Sequence, residues 1–175
     1  MKSLFIFSTL LFFAVYSNAQ NVNSDKRSKA TDRIAIRELI DNYGYYADRR
    51  EADKQAGLFS ENGLLENYES EPSDTSKPVS FFKGRKNLAD AFQTLKQFQQ
   101  TFHFNGQATI KIYGDSATGI VYCLAHHIFM ENGKRMLLVM GIHYYDTYSY
   151  QNNQWFFADR KLIIDRRDKR ESTPN

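Results

Sequence analysis

The side chains from which this sequence can build a reactive site are His103, His126, His127 and His143, the single thiol Cys123, and scattered carboxylates. No HExxH or CxxC spacing gathers ligands on one helix face or in one knuckle. The strand histidines also form no recognised ligand motif with a carboxylate, so a metal centre has no support. GxSxG, P-loop and GxGxxG patterns are absent as well, which removes support for a serine nucleophile and a phosphate cradle. General acid–base chemistry without a cofactor remains, or no chemistry.

Asp48 closes the run Tyr45-Tyr46-Ala47-Asp48 at the predicted end of a helix. The negative end of the helix dipole and apolar neighbours both favour its protonated form and make it a better base. Arg49 and Arg50 pull the other way, which leaves the sign open. The alternative is a solvated helix-end carboxylate paired with one of those arginines. His103 sits in Thr101-Phe102-His103-Phe104-Asn105. A ring between two aromatic neighbours suits a hydrogen-bonded core histidine or a proton shuttle.

Helices come first among the elements that must position these groups. Thr31 or Asp32 can cap a helix whose apolar positions Ile36, Leu39, Ile40, Tyr43 and Ala47 follow helical spacing. A short second helix is predicted over Glu51–Phe59, broken by Asn62-Gly63, with a strand opening at Leu64-Leu65. Residues 67–80, carrying Pro72 and Pro78, read as a loop. A third helix after Gly84 aligns Leu88, Ala91, Phe92, Leu95 and Phe98. The period then changes to two, predicting strands over 101–113, 116–130, 134–150 and 154–165, with turns at Gly114-Asp115, Asn132-Gly133 and Asn152-Asn153. Helices followed by an antiparallel meander imply an α+β fold whose curved sheet wraps the helices. Alternation puts Ala117, Gly119, Val121, Cys123, Ala125 and His127 on one face, whose small side chains leave space beneath the helices.

Taken in order, Asp32-Arg33-Ile34-Ala35-Ile36-Arg37-Glu38-Leu39-Ile40, Tyr43 with Asp48, Gly84-Arg85, Thr101-Phe102-His103-Phe104, Ala117-Thr118-Gly119 with Tyr122, Tyr144 with Asp146, and Trp155 carry a resemblance. Over about residues 31–166 the chain resembles the SnoaL-like branch of the NTF2-like superfamily, whose folds are cone-shaped α+β barrels. It looks most like the cofactor-free eliminating enzymes of that group: scytalone dehydratase, hexachlorocyclohexane dehydrochlorinase and bile-acid 7α-dehydratase. The resemblance implies an Asp–His pair at Asp48 and His103, a second histidine at His127 and a catalytic tyrosine at Tyr43. Tyr144, Tyr46, Val121 and Cys123 are the substrate-binding candidates. Ala125 stands where the bile-acid enzyme carries a carboxylate, and no arginine falls at that enzyme's matching spacing after Trp155. Two functions follow: a lyase or isomerase acting on a hydrophobic small molecule, or a noncatalytic ligand-binding or dimeric scaffold.

Composition fits one domain: of 175 residues, 42% are hydrophobic and 25% charged, and a net charge of +3 is too small for a nucleic-acid-binding protein. Lys2, the apolar run Leu4–Val15 and Ser17-Asn18-Ala19 predict a leader over residues 1–19, removed on secretion to the periplasm or beyond. Its apolar run is too short for a stable membrane span. Residues 20–30 read as a flexible lead-in and 167–175 as a charged, solvated tail. Exposed rings such as Tyr122 and Tyr145 on the outer sheet face predict a homodimer. The expected partners are therefore a second copy and a hydrophobic small molecule, with no cofactor, metal or nucleic acid.

Overall fold

The computed structural model describes residues 27–173, so the predicted leader and residues 20–26 of the lead-in lie outside the described residues. Helix α1 spans Lys29–Arg49 and begins earlier than predicted, because Ser28 is its cap: the Thr31 N–H donates to Ser28 Oγ at 3.1 Å. Asp32 is drawn away from capping. Its carboxylate is buried, accepts from Trp155 Nε1 at 2.9 Å and pairs with Arg27 at 2.7 Å. At the other end Arg50 adopts a left-handed conformation (φ 58°) and donates its N–H to the Ala47 carbonyl, which stops the helix just past Asp48.

A short α2 covers Ala52–Gly57, and β1 runs Phe59–Tyr68, starting well before Leu64. Asn62-Gly63 does not end an element there. It forms an irregularity inside β1, where a Cβ on Gly63 would lie 2.8 Å from the Phe59 Cβ. The predicted loop is bounded by strands: β1 runs into it as far as Tyr68, and β2, Ser80–Lys83, starts at its last residue and pairs antiparallel with β1. Four residues beside Pro78 are too few to show a period. Helix α3 spans Arg85–Phe92 and tightens into a 3-10 turn over Gln93–Gln97.

Strands β3 (Gln100–Tyr113), β4 (Ser116–Glu131), β5 (Lys134–Gln151) and β6 (Gln154–Glu171) form the expected meander. Asn132-Gly133 and Asn152-Asn153 have positive φ at both central residues, the twist that two-residue hairpins favour. The curved, unclosed sheet has order β2-β1-β6-β5-β4-β3, and β1 joins β6 in parallel. The predicted tail is corrected as well, since β6 continues to Glu171, paired with Met136–Gly141 of β5. Alternating charges conceal the strand, because backbone pairing needs no apolar side chain. Those side chains are solvated and ion-paired, Arg167 with Glu69 and Lys169 with Glu131. No helix among the described residues is long and apolar enough to cross a membrane.

The core lies between α1 and the concave sheet face. Ile36, Leu39, Ile40, Tyr43 and Ala47 are all buried there. Tyr43 meets Phe59, Phe92, Tyr144 and Phe157 edge-on at centroid distances of 5.8–6.1 Å. Such pairs add roughly 0.5–1.5 kcal/mol each beyond the area they bury.

Candidate active site

Helix α1 crosses β3 closely enough that its C-terminal turn reaches the strand. Gly44 permits the approach: a Cβ there would sit 3.2 Å from the His103 Cβ. One helical turn later, Asp48 holds His103 twice. Oδ1 lies 2.7 Å from His103 Nδ1, and Oδ2 accepts the His103 backbone N–H at 3.0 Å. An ionised carboxylate only accepts, so Nδ1 carries the proton and Nε2 is the ring's lone-pair nitrogen. Neither neighbouring arginine takes the Asp48 carboxylate. Arg49 pairs with Glu51, and Arg50 donates to the Asp48 and Phe98 carbonyls. Burial alone would raise the Asp48 pKa, but the ring and backbone hydrogen bonds from His103 outweigh it and hold the carboxyl below its ordinary value. Asp48 is thus a fixed anion that orients His103.

His103 lines a cavity of about 240 Å³ between the sheet and α3, walled also by Tyr43, Tyr144, His127, Phe92 and Leu95. The His127 ring centroid is 5.5 Å from that of His103 and 4.3 Å from that of Phe98. Both of its ring nitrogens are buried without a hydrogen-bond partner. Burial, reinforced by nearby His103, pushes its pKa down to about 4, so the ring is neutral at pH 7. Burial also raises the Tyr43 pKa to about 12 and carries that of Tyr144 well above its ordinary value, so both hydroxyls stay protonated. The cavity therefore combines an imidazole lone pair backed by an anion with neutral donors on an apolar wall.

Three substrate-binding candidates lie elsewhere. Val121 and Cys123 belong to the packed core, because large rings fill the space their small face leaves. Tyr148 packs onto Gly119 so tightly that a Cβ there would lie 3.0 Å from its hydroxyl. Burial raises the Cys123 thiol to about 11, so it stays neutral. Tyr46 is half-buried away from the cavity, edge-on to Tyr45 and beside the Lys54 ammonium. His126 faces Phe102, and His143 sits on the outer face between Asp165 and Glu71. No group of three or more metal-ligating side chains occurs among the described residues.

Arg160 is missing from the sequence-based site. It is fully buried and makes two 2.8 Å contacts with Asp146, which also accepts from the Tyr148 hydroxyl at 2.7 Å. Its guanidinium lies 4.0–4.3 Å from the ring centroids of Tyr43, Tyr144 and Phe157. Burial opposes its charge, but the Asp146 carboxylate prevails and keeps it protonated. The pair fixes two cavity tyrosines from behind. Asn67 is also absent from the sequence reading; it lines the same cavity from β1.

Known proteins of this shape share the arrangement of helices and sheet. A proposed scytalone dehydratase from Novosphingobium aromaticivorans DSM 12444 superposes with a TM-score of 0.66 at 21% identity, covering 83% of this chain and 91% of that one. Hexachlorocyclohexane dehydrochlorinase LinA-type3 from Novosphingobium barchaimii LL02 gives a TM-score of 0.68 at 14% identity, covering 83% and 97%. An NTF2-like protein with a cystatin-like fold from Novosphingobium aromaticivorans gives 0.61 at 25% identity, covering 78% and 83%. No curated protein matches in sequence. The model of the SnoaL-like domain matches residues 28–161, and the chain belongs to that family of NTF2-like proteins.

Proposed function

We propose that this protein is a lyase of the dehydratase type, acting on a hydrophobic small molecule without a cofactor. The observation that carries this reading is the double contact of Asp48 on His103, which leaves Nε2 as the free nitrogen of a ring that lines the cavity. His103 Nε2 takes a proton from a carbon made acidic by a neighbouring carbonyl. Asp48 stabilises the imidazolium that forms. The C–H electron pair becomes the new C=C bond as the C–O bond at the β carbon breaks. His103 then returns its proton to the departing oxygen, releasing water and regaining its neutral form. His127 is neutral and acts as a hydrogen-bond donor to the substrate carbonyl or leaving oxygen, and the Tyr43 and Tyr144 hydroxyls are further donors. An isomerase would share the first step and return the proton to carbon.

We place this work outside the cytoplasm, after removal of residues 1–19, in a homodimer. Support for the dimer is the outer sheet face, where Phe102, Phe104 and Tyr122 are each at least half exposed. The test of the chemistry is a panel of cyclic β-hydroxy ketones followed by ultraviolet absorbance of the conjugated enone. Enone formation that depends on both Asp48 and His103 supports the proposal. Saturable binding with no enone from any member supports a noncatalytic binding protein instead.

A further inference from the structure

The β1–β2 pair adds to the cavity lining a second residue that carries an unpartnered buried polar atom. Asn67 and Ser80 are cross-strand partners, and both line it. Asn67 Nδ2 donates to Ser80 Oγ at 2.9 Å, and the Val79 N–H donates to the Asn67 carbonyl at 2.8 Å, so side chain and backbone are both tied down. Asn67 Oδ1 is nonetheless buried without a partner, as are both nitrogens of His127. Native interiors retain few such atoms, and those that persist call for an explanation. A serine hydroxyl can donate or accept, so if the amide were turned over, one of its polar atoms would still be left bare.

The cavity lining holds no Lys, Arg, Asp or Glu. The cation just behind it, Arg160, is already committed to Asp146. An anionic ligand would be desolvated there without a counter-ion, which is strongly unfavourable. The volume, about 240 Å³, is also below the ~300–1,000 Å³ of pockets that take drug-sized ligands.

We infer that Asn67 is a specificity-determining residue: its Oδ1, held by Ser80, accepts a hydrogen bond from a hydroxyl of an uncharged, ring-sized substrate whose other polar group meets His127. This rests on the cavity being the substrate site proposed above. A hydroxyl is the group that satisfies Asn67 in either orientation of its amide. A ligand without one leaves the amide bare and forfeits the discrimination that a buried polar group supplies.

The test is equilibrium binding, by titration calorimetry, of naphthol, fluoronaphthalene and naphthoate substituted at one common ring position. The purified protein should prefer naphthol to fluoronaphthalene by about tenfold, the scale of one buried hydrogen bond, and should bind naphthoate most weakly. Asn67→Leu should abolish the preference and leave fluoronaphthalene bound at least as well. Ser80→Ala, which removes the hydrogen bond that anchors the amide in place, should reduce the preference and serves if the leucine variant does not fold. The inference is overturned by equal binding of naphthol and fluoronaphthalene, by a preference that survives Asn67→Leu, by naphthoate binding best, or by no probe binding. These probes cannot eliminate. A failure of the lyase reading therefore leaves the result untouched, and a lost naphthol preference leaves proton abstraction by His103 standing.

Discussion

At Asp48, one carboxylate oxygen accepts a hydrogen bond from the His103 ring N–H and the other accepts from its backbone N–H, so orientation and charge come from a single side chain. Asp48→Asn keeps the shape and removes the charge that stabilises imidazolium. It and His103→Ala should each slow turnover by about 10²–10⁴-fold, as general-base contributions do. The double variant should lose little beyond the worse single one, because the pair acts as a unit. His127 offers a test by pH. Its pKa in the folded protein is about 4 against an ordinary 6.5, so the unfolded chain takes up the proton first as pH falls. Stability from this group is whole above about pH 6.5 and declines between 6.5 and 4, by up to about 3 kcal/mol. His127→Phe should flatten that part of the urea-midpoint profile and raise stability at pH 7 by about 1 kcal/mol or more, since two unpartnered buried nitrogens are lost. It should also weaken ligand binding. Asp48 and His103 were legible as a pair through the family resemblance; their local cues, a helix end and an aromatic flank, left other readings open. Arg160 was not legible. In Asp159-Arg160-Lys161 it looks like part of a solvated face, and its partner Asp146 lies on the neighbouring strand.

Two elements hold the site in register, and each can be disturbed separately. Gly44→Ala should gain about 1 kcal/mol in helix propensity, yet its new Cβ would press on the His103 Cβ at 3.2 Å. Melting temperature should change little, while turnover falls because α1 is levered away from β3 and the Asp48–His103 contact lengthens. A large melting loss with full activity would refute this account of the crossing. Beneath the tyrosines, Arg160→Met leaves Asp146 buried without its counter-ion, at a cost of about 3–5 kcal/mol in denaturant unfolding. Adding Asp146→Leu should recover part of that loss, and the non-additivity measures the pair. The helices and hairpin turns were legible because their spacing and Asn-Gly chemistry act locally. Strand β2 and the end of β6 were hidden because partner strands create them: β2 is four residues long, and the end of β6 carries alternating charges with no apolar face.

For the whole molecule, the order of helices and strands was enough to foresee a sheet wrapped around α1, and the large rings that fill its narrow part were not. Val121 and Cys123 became core because Tyr43, Tyr144 and Tyr148 occupy the space that small residues suggested was free. Space remains at the Asp48 end of α1, in the cavity built from the sheet, α1 and α3 together. Export should leave a chain starting at Gln20, which intact mass of the secreted protein would reveal, and a retained Met1 would contradict the leader. Sedimentation at micromolar concentration should show a dimer, and only a monomer-mass species would remove the reason given for the exposed outer rings. The central claim is proton abstraction by His103 with Asp48 behind it, and it can be tested without a leaving group. Indanone incubated with the protein in deuterated buffer should exchange its α-hydrogens faster than in buffer alone. That acceleration should vanish in both Asp48→Asn and His103→Ala. Exchange at the buffer rate with the parent protein, or acceleration that persists in either variant, would contradict the account.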